Sequence, residues 1–391
     1  MTGDVDVALL GNSLSGKRVA LGITGGIAAV ETVRLCRELR RHGADLTVFM
    51  TTSATKIITP LAVEWASQAP VVTNWETEMS QLESYDAILI APATRNFISR
   101  YLNGMMDHPL LMAWSAGRGR GVPIVIVPSM NSDLYNDPVT QDLLNRMNGE
   151  HIVIGPIEEG RYKQPNPETI VAQLCHHTNS NKNSKRFVIT LGANRAPIDS
   201  VRAIQNASSG NTGWKIAEYL HREGHQVIVI AGTTSAVPTF PLPQVIRAEH
   251  PDEMLEQCIK IAREEKPDGW VHAAAVLDYF AEPIDGKKLS GDDDWMLELM
   301  PGRKHIHALT EYVGSARRIG FKLETGVSVE QLHHRAREQI SAYDVDATIA
   351  NLMEEMHNEN SPRAYLVTNE GITNLDDLQS VCEAICSILT K

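Results

Sequence analysis

A short apolar strand followed by a long polar loop and a helix constrains the fold of this chain more than any other stretch. The run from Phe187 to Thr190 is almost entirely apolar, which is typical of a parallel strand covered on both faces. The loop beyond it is rich in small and polar residues and leads into a predicted helix over 212–222. Backbone N–H groups and the helix dipole attract anions at such a helix start. The stretch predicts an anion site, and the alternative is a long surface connection.

The same alternation of strands and helices recurs along the whole chain. In the first half, apolar runs predict strands at 18–23, 44–50, 87–91 and 123–128, with helical segments between them. In the second half, strands are predicted at 187–190, 226–231, 270–274, 318–321, 347–350 and 364–368. Helices are predicted there at 212–222, 252–265, 328–342 and 375–389. This order predicts the α/β class, with two doubly wound, Rossmann-like domains.

Composition predicts where the two domains begin and end. Residues 1–16 are predicted to form an irregular leader, 17–175 the first domain and 187–391 the second. The segment 176–186 begins with His176 and His177, contains no apolar residue, and is predicted to be a solvated linker. These adjacent histidines have no thiolate or carboxylate arrangement near them, so no metal site is predicted.

The charge balance limits the partners of the chain. It carries 36 Lys and Arg against 48 Asp and Glu, a formal net charge of −12, which argues against non-specific binding of nucleic acid or anionic membranes. No run approaches the ~20 apolar residues of a membrane helix, and the first residues lack the features of a signal peptide. Five scattered cysteines predict a reduced, cytoplasmic protein without a disulfide framework.

Polar residues gather where the predicted strands of the first half end. Ligands of doubly wound sheets bind at the carboxyl ends of the strands. The candidates that follow four successive strands are Gly25 and Gly26, Thr51 and Ser53, Thr94 and Asn96, and Asn131. Small, hydroxyl and amide groups at four strand ends predict one phosphate-bearing ligand.

A charged segment interrupts the pattern of the second half. Its sequence at 285–294, DGKKLSGDDD, contains Lys287 and Lys288. One interpretation is a solvated turn, and the other is a mobile lid that carries a lysine.

The motifs of the second half resemble one known family. The chain is similar over roughly residues 17–389 to the bifunctional coenzyme A biosynthesis flavoproteins, in which a phosphopantothenoylcysteine decarboxylase is fused to a phosphopantothenate–cysteine ligase. The matching motifs are Ile198-Asp199, Val201-Arg202, Ile204, Asn206, Ser208–Gly210, Ala273–Tyr279, Lys287–Ser290, Gly320–Thr325 and Ile349–Asn351. Ala193, Asn194 and Ala196 depart from the usual Gly, Thr and Glu of the family, which leaves the identity of the acid substrate open.

The resemblance implies a CTP-dependent amide ligase that uses Mg²⁺ and acts on small-molecule substrates, namely a phosphorylated acid, cysteine and CTP. In the family, a carboxylate attacks the α-phosphate of CTP, pyrophosphate leaves, and the amine of cysteine displaces CMP from the acyl-cytidylate. By this resemblance, the catalytic candidates are Asn206, which holds the acyl-cytidylate, Lys288 or Lys287, and Arg202. The nucleotide-binding candidates are Gly192, Ser208, Ser209, Gly210, Ala275, Asp278 and Phe321.

The resemblance of the first half is broad but lacks two catalytic features. By it, FMN is an allowed cofactor at Gly25, Gly26, Thr51, Ser53, Thr94 and Asn96, and Asn131 is placed to meet a substrate carboxylate. The family histidine before the third strand is missing, because 79–84 reads MSQLES, and the flap at 155–162 has no cysteine. Since decarboxylation needs a base and a proton-donating thiol, we expect that it is lost. His108 and Cys175 are weak substitutes.

Three alternatives stay open at this point. The first is a fully bifunctional enzyme that has moved its acid–base group. The second is a relative that ligates another acid in specialised metabolism. The third is a non-enzymatic flavin-fold interaction protein. The family resemblance also implies a homo-oligomer.

Overall fold

The computed structural model describes residues 4, 6–158, 161–291, 294–355, 358 and 361–391. The chain divides into two compact units, one formed by residues up to 181 with 222–224 and one formed by 182–221 with 225–391. Each unit contains one large sheet with helices. The α/β class and the two doubly wound domains predicted from the alternating pattern are therefore confirmed.

The first unit is built on a six-stranded parallel sheet. Its strands are β1 (Arg18–Ile23), β2 (Asp45–Met50), β3 (Val71–Val72), β4 (Ala87–Ala93), β5 (Ile124–Pro128) and β6 (His151–Ile152), with a separate hairpin of β7 (Ile157–Glu158) and β8 (Arg161–Tyr162). Its helices are α1 (Thr32–Arg41), α2 (Pro60–Ser67), α3 (Arg95–Leu102), α4 (Pro109–Gly119), α5 (Ser132–Asn136), α6 (Pro138–Arg146) and α7 (Pro167–Asn179). The order β3-β2-β1-β4-β5-β6 reverses between β1 and β4, where doubly wound folds bind ligands.

Apolar strands form this sheet because helices cover both of its faces. β4 is buried along its whole length. One face packs against α1 and α7 through residues such as Leu35 and Ile170. The other packs against α3 and α4 through Phe97 and Trp114. Because burying each such side chain stabilises the fold by about 1.5–3 kcal/mol, these two layers hold the strands and their carboxyl ends in place.

The second unit contains an eight-stranded sheet and two short hairpins. Its strands are β9 (Arg186–Leu191), β10 (Arg195–Pro197), β11 (Ala203–Gln205), β12 (Gln226–Ala231), β13 (Gln244–Arg247), β14 (Gly269–His272), β15 (Tyr279–Phe280), β16 (Met300–Pro301), β17 (Arg317–Glu324), β18 (Ala347–Leu352), β19 (Ala364–Thr368) and β20 (Ile372–Leu375). Its helices are α8 (Asn211–Arg222), α9 (Pro251–Glu264), α10 (His305–Ala308), α11 (Val329–Tyr343) and α12 (Leu378–Thr390).

The sheet of the second unit also reverses its order near the centre. The order is β13-β12-β9-β14-β17-β18-β19-β20, parallel as far as β18 and antiparallel at β19 and β20. The reversal lies between β9 and β14, directly after the strand that was predicted at 187–190. The predicted helix at 375–389 starts later, at Leu378, because residues up to Leu375 pair as β20 and Asp377 caps the helix through Ser380.

The structure corrects the start of the predicted linker. Helix α7 begins after its cap residue Asn166 and continues to Asn179, so residues 176–179 are helical. His177 is not solvated in the way we expected, because its ring stacks on that of His151 with 3.4 Å between centroids and 8° between planes. Ile170 and Leu174 on the apolar face of α7 pack in the core of the first unit. The helix held by this packing continues into the polar residues 176–179.

Candidate active site

A cleft of ≈ 860 Å³ opens at the carboxyl ends of the strands in the second unit. The lining includes Thr190 near the end of β9, residues 272–276 at the end of β14 and just after it, and residues 321–324 of β17. The cleft therefore lies at the reversal of strand order. The predicted nucleotide-binding residues that line it are Ser208, Ser209, Gly210, Ala275, Asp278 and Phe321. The described residues Gly192, Arg202, Asn206, Lys287 and Lys288 are not among those that line it.

Asn206 does not line the cleft but holds two residues that do. Its side-chain Nδ2 donates hydrogen bonds to the carbonyl oxygens of Ala275 and Val276, each at 3.0 Å. Both of these residues line the cleft. The amide of Asn206 is half-buried, and its Oδ1 is the end that can still accept a hydrogen bond from a ligand. Asn206 therefore fixes the loop after β14 through its donors.

The start of helix α8, where the sequence predicts an anion site, lines the cleft. The hydroxyl of Ser208 accepts a hydrogen bond from the Gly210 N–H, and that of Ser209 accepts one from the Asn211 N–H, each at 3.3 Å. These bonds order the turn from which α8 begins. Residues 207–213, which include this turn, line the cleft. Arg363, which also lines the cleft, donates to the hydroxyl of Thr212 at 3.4 Å. A helix start and an arginine together favour a phosphate or carboxylate.

Gly192 and the three residues that depart from the family pattern, Ala193, Asn194 and Ala196, are packed in the interior of the second unit. Gly192 has a φ of +82°, and a Cβ there would lie 2.8 Å from the Thr233 carbonyl oxygen, so the turn requires glycine. Ala193, Asn194 and Ala196 are all at most 1% exposed. The side-chain Nδ2 of Asn194 donates to the Glu249 carbonyl at 3.1 Å. The three departures from the family pattern therefore alter packing, and the cleft lining does not contain them.

Asp278 sits in an ion pair at the cleft. Its Oδ1 lies 2.6 Å from the Nζ of Lys304, and both side chains are about half exposed (57% and 54%). Its backbone carbonyl accepts a hydrogen bond from the Gly302 N–H at 2.7 Å. Phe321 lines the cleft from β17. The pair leaves this part of the cleft close to electrically neutral.

Lys288 and Arg202 meet in a second cluster, organised by Asp199. The buried carboxylate of Asp199 accepts hydrogen bonds from the backbone N–H groups of Val201, Arg202 and Lys288, at 2.8, 2.6 and 3.2 Å, and from the Arg202 guanidinium. Although burial raises the pKa of this carboxyl, the hydrogen bonds from Arg202, Val201 and Lys288 lower it to about 2. The Nζ of Lys288 lies 5.7 Å from the ring centroid of Trp295. The backbone of Lys288 is therefore fixed, while its side chain rests on an aromatic face.

In the first unit, the ends of β1, β2 and β4 converge as predicted. A Cβ at Gly25 would lie 2.3 Å from the Cβ of Ser53, so only glycine allows this approach. The hydroxyl of Thr24 donates to the Pro92 carbonyl at 2.8 Å and accepts from the Thr94 N–H at 2.9 Å. Gly26 lies against Thr94 in the same place. The exposed hydroxyl of Ser53 and the turn at Gly25 fit the phosphate end of a flavin nucleotide.

The other three candidates of the first unit have different surroundings. Thr51 is 7% exposed, and its hydroxyl accepts a hydrogen bond from the Ala54 N–H at 3.3 Å. Asn96 is exposed in the first turn of α3. Asn131 caps α5, because its Oδ1 accepts from the Asp133 N–H at 3.0 Å. Its Nδ2 remains the group that can meet a carboxylate.

His108 and Cys175, the weak substitutes named from the sequence, are both buried. His108 caps α4, with its Nδ1 accepting a hydrogen bond from the Leu110 N–H at 3.1 Å, and its pKa is lowered mainly by burial. The thiol of Cys175 is fully buried on α7, and burial raises its pKa to about 12. The flap hairpin of β7 and β8 spans 157–162, of which residues 159 and 160 lie outside the described part.

Several residues that the sequence did not single out also line the cleft. They are His272, Lys304, His305, Gln339 and Arg363. His272 directly precedes the Ala273–Tyr279 motif and lies within the strand predicted at 270–274, and these positions were the available signal. Lys304 and Arg363 lie far from any recognised motif, and only the tertiary fold brings them to the cleft.

The described residues contain no group of three or more His, Cys, Asp or Glu side chains placed to hold a metal ion. Likewise, none of the helices in the described ranges is long and apolar enough to cross a membrane.

Comparisons with known proteins agree with this arrangement. Residues 9–179 match the flavoprotein family, and residues 182–390 match the family of the DNA/pantothenate metabolism flavoprotein C-terminal domain. Three relatives are each described as coenzyme A biosynthesis bifunctional protein CoaBC. The protein from Thermococcus kodakarensis is 36% identical over 88% of each chain. That from Methanocaldococcus jannaschii is 31% identical over 91% of this chain and 88% of its own. That from Escherichia coli K12 is 33% identical over 71% of each.

Among solved structures, the DNA/pantothenate metabolism flavoprotein from Streptococcus pneumoniae is 22% identical, with a TM-score of 0.47 over 52% of this chain and 97% of its own. The two family matches meet where the two compact units divide, and the bifunctional relatives extend across both. The chain therefore belongs to the family of bifunctional coenzyme A biosynthesis flavoproteins, in which a flavoprotein domain is fused to a phosphopantothenate–cysteine ligase domain.

Proposed function

We propose that the second domain is a CTP-dependent ligase that joins 4′-phosphopantothenate to cysteine. The observation that carries this proposal is the cleft at the reversal of strand order, where the start of α8 meets the loop that Asn206 holds. The start of a helix with Arg363 beside it suits the triphosphate of one substrate and the carboxylate of the other.

The reaction requires two displacements. An oxygen of the acid carboxylate attacks the α-phosphorus of CTP, the bond to the β-phosphate oxygen breaks, and pyrophosphate leaves. The cysteine nitrogen then attacks the acyl carbon, the bond to the CMP oxygen breaks, and the amine loses a proton. The turn from Ser208 to Gly210 and Arg363 would neutralise phosphate charge, with Mg²⁺ brought by the triphosphate.

Lys288 would act on the phosphates after its side chain leaves Trp295. Asp199 holds the backbone N–H of Lys288, and the guanidinium of Arg202 approaches its carbonyl oxygen at 3.4 Å. Because its backbone is held in this way, the side chain of Lys288 can move towards the phosphates while the loop keeps its position. Lys287 lacks these backbone contacts among the described residues and is the weaker candidate.

For the first domain, we propose that FMN binding is retained and decarboxylation is lost. The convergence of Gly25, Ser53 and Thr94 supports the binding of a flavin phosphate. The flavin would supply oxidation and re-reduction of the substrate thiol. The chain has no histidine at 79–84, and the burial of Cys175 together with the capping role of His108 supports the loss.

The fully bifunctional enzyme is the second candidate. It is favoured by the bifunctional relatives, which extend across both domains. A ligase for another acid has less support, because Ala193, Asn194 and Ala196 are buried in packing. A non-enzymatic interaction protein has less support as well, because such a protein has no need of a cleft lined by the start of α8 and Arg363.

One experiment separates these functions. The purified chain is incubated with 4′-phosphopantothenate, cysteine, CTP and Mg²⁺, and pyrophosphate, CMP and carbon dioxide are measured. The ligase proposal predicts equal amounts of pyrophosphate and CMP without carbon dioxide, and carbon dioxide release dependent on FMN would favour the bifunctional enzyme. A colourless protein without flavin absorbance would refute FMN retention. We further propose a cytoplasmic homo-oligomer. Light scattering tests its oligomeric state, and cell fractionation tests its location.

A further inference from the structure

The peptide between Ser209 and Gly210 is held by a residue that lies outside the cleft lining. The carbonyl oxygen of Ser209 accepts a hydrogen bond from the Ala236 N–H at 3.1 Å. Because the C=O and N–H of a trans peptide point in opposite directions, the N–H of Gly210 faces away from Ala236. It donates to the hydroxyl of Ser208 at 3.3 Å, and both Ser208 and Gly210 line the cleft. The peptide therefore turns its donor towards the cleft and its carbonyl oxygen away from it.

The glycine at position 210 makes this orientation easy to lose. Gly210 has a φ of +77°, and a Cβ there would lie 2.6 Å from Cγ2 of Thr234, so the turn requires glycine. Glycine adopts φ angles of either sign, so the peptide that precedes it can turn over without a side-chain clash. Turning over would bring the Ser209 carbonyl oxygen to the cleft, where it would repel a phosphate. The hydrogen bond from Ala236 opposes this movement.

Trp214 holds Ala236 in the position that this hydrogen bond needs. The indole Nε1–H of Trp214 donates to the Ala236 carbonyl at 3.1 Å, and the side chain is only 1% exposed. Trp214 lies in the first turn of α8, and its backbone N–H donates to the Gly210 carbonyl at 3.0 Å. One helix residue therefore closes a circuit of hydrogen bonds around the peptide that meets the cleft.

Two charged residues hold the loop after β12 and the indole in place. The buried carboxylate of Glu218, one turn along α8, accepts a hydrogen bond from the Thr239 N–H. Nη1 of Arg247 donates to the Gly232 carbonyl at 3.3 Å, and its Cζ lies 5.6 Å from the ring centroid of Trp214. The loop is thus fastened near both of its ends, so the link through the indole acts between two fixed elements.

We propose that Trp214 is a positioning residue for the phosphate site at the start of α8. Through Ala236 it keeps the peptide before Gly210 with its N–H towards the cleft before the nucleotide binds. The inference rests on the proposed CTP-dependent ligation. Trp214 is not among the described residues that line the cleft, so it acts on the fraction of molecules whose turn is ready to accept a phosphate.

The test uses variants of the whole chain in steady-state ligation and in calorimetric titration with Mg²⁺ tripolyphosphate. Trp214→Phe keeps an aromatic ring and removes the indole N–H. We expect the Kd for tripolyphosphate and the KM for CTP to rise about fivefold, as for the loss of one neutral hydrogen bond. Because a bound phosphate selects the competent orientation, kcat at saturating CTP and the KM for cysteine should stay within about twofold of the wild type.

Trp270→Phe is the matched control. Trp270 is fully buried in the same unit, and within the described part of the chain its Nε1 has no hydrogen-bond partner. Its replacement removes the same group and lowers Tm through lost packing, but it should leave the KM for CTP and the Kd for tripolyphosphate unchanged. If Trp214→Phe does not fold, Ala236→Pro takes its place, because it removes the N–H that holds the Ser209 carbonyl. Ala236→Ser keeps that N–H and is its control.

Two results would overturn the inference alone. One is a Trp214→Phe variant with the wild-type KM for CTP and Kd for tripolyphosphate, and the other is a fall in kcat with an unchanged KM for CTP. A wild-type chain that binds neither CTP nor tripolyphosphate would overturn the proposed function and the inference with it, so the two failures are distinguishable.

Discussion

Replacing Asn206 with alanine removes two hydrogen bonds that hold the edge of the cleft. Both run from Nδ2, to the carbonyl oxygens of Ala275 and Val276, at 3.0 Å. A neutral hydrogen bond contributes about 1 kcal/mol net, so the second domain should lose about 2 kcal/mol of unfolding free energy. For a domain of roughly 200 residues, this lowers Tm by about 4–8 °C.

The effect of Asn206→Ala on ligation should be larger than its effect on stability. The loop that loses its support carries Ala275 and Val276 into the cleft. A displacement of about 1 Å in a reacting arrangement costs about 100-fold in rate. We therefore expect kcat for pyrophosphate release to fall by about 100-fold in a protein that remains folded. The assays are a coupled pyrophosphate measurement and thermal unfolding followed by circular dichroism.

Asn369→Ala is the matched control for this substitution. Asn369 is exposed in the turn between β19 and β20, and it is not among the described residues that line the cleft. Its replacement should change neither Tm nor kcat. The reasoning is refuted if Asn206→Ala retains the wild-type kcat, or if its Tm equals that of the wild type.

Three further predictions concern single residues. Lys288→Ala should lower kcat for ligation at least about tenfold and Lys287→Ala much less, because Asp199 fixes only the former; the reverse order in steady-state kinetics would refute this assignment. Since burial raises the pKa of Cys175 to about 12, iodoacetamide should label it only on unfolding, and mass spectrometry of native labelling checks this. Burial lowers the pKa of His177 from 6.5 to about 3, so the unfolding free energy from urea titrations should fall as the pH is lowered from 6.5 to about 3. His177→Phe should show a smaller slope over this range.

Most of the architecture could be predicted because it depends on periodicity and burial. The apolar runs that became β1, β4 and β9 have no polar alternation, and strands of this kind occur in parallel sheets. The convergence of Gly25 with Ser53 followed from the rule that strand ends share one edge. The continuation of α7 to Asn179 was missed, because polar residues on an exposed helix face look like those of a linker.

The site could be predicted only where motifs mark it. Ser208, Ala275 and Asp278 lie in recognisable motifs, and they line the cleft together. The burial of Ala193 could not be read from the sequence, because a change of residue type does not reveal which way the side chain points. The buried imidazole of His272 was also missed, since a single histidine within a predicted strand gives no sign of whether its nitrogens have partners.

The most direct test of the ligase account is the stoichiometry of CTP consumption by the wild-type chain. With 4′-phosphopantothenate, cysteine and Mg²⁺ present, the account predicts one pyrophosphate and one CMP released for each amide formed. Without the acid, no CTP should be consumed. Without cysteine, turnover should stop after the acyl-cytidylate has formed, with at most one pyrophosphate released per active site. Release of CDP and inorganic phosphate, or the absence of nucleotide turnover when all substrates are present, would contradict it.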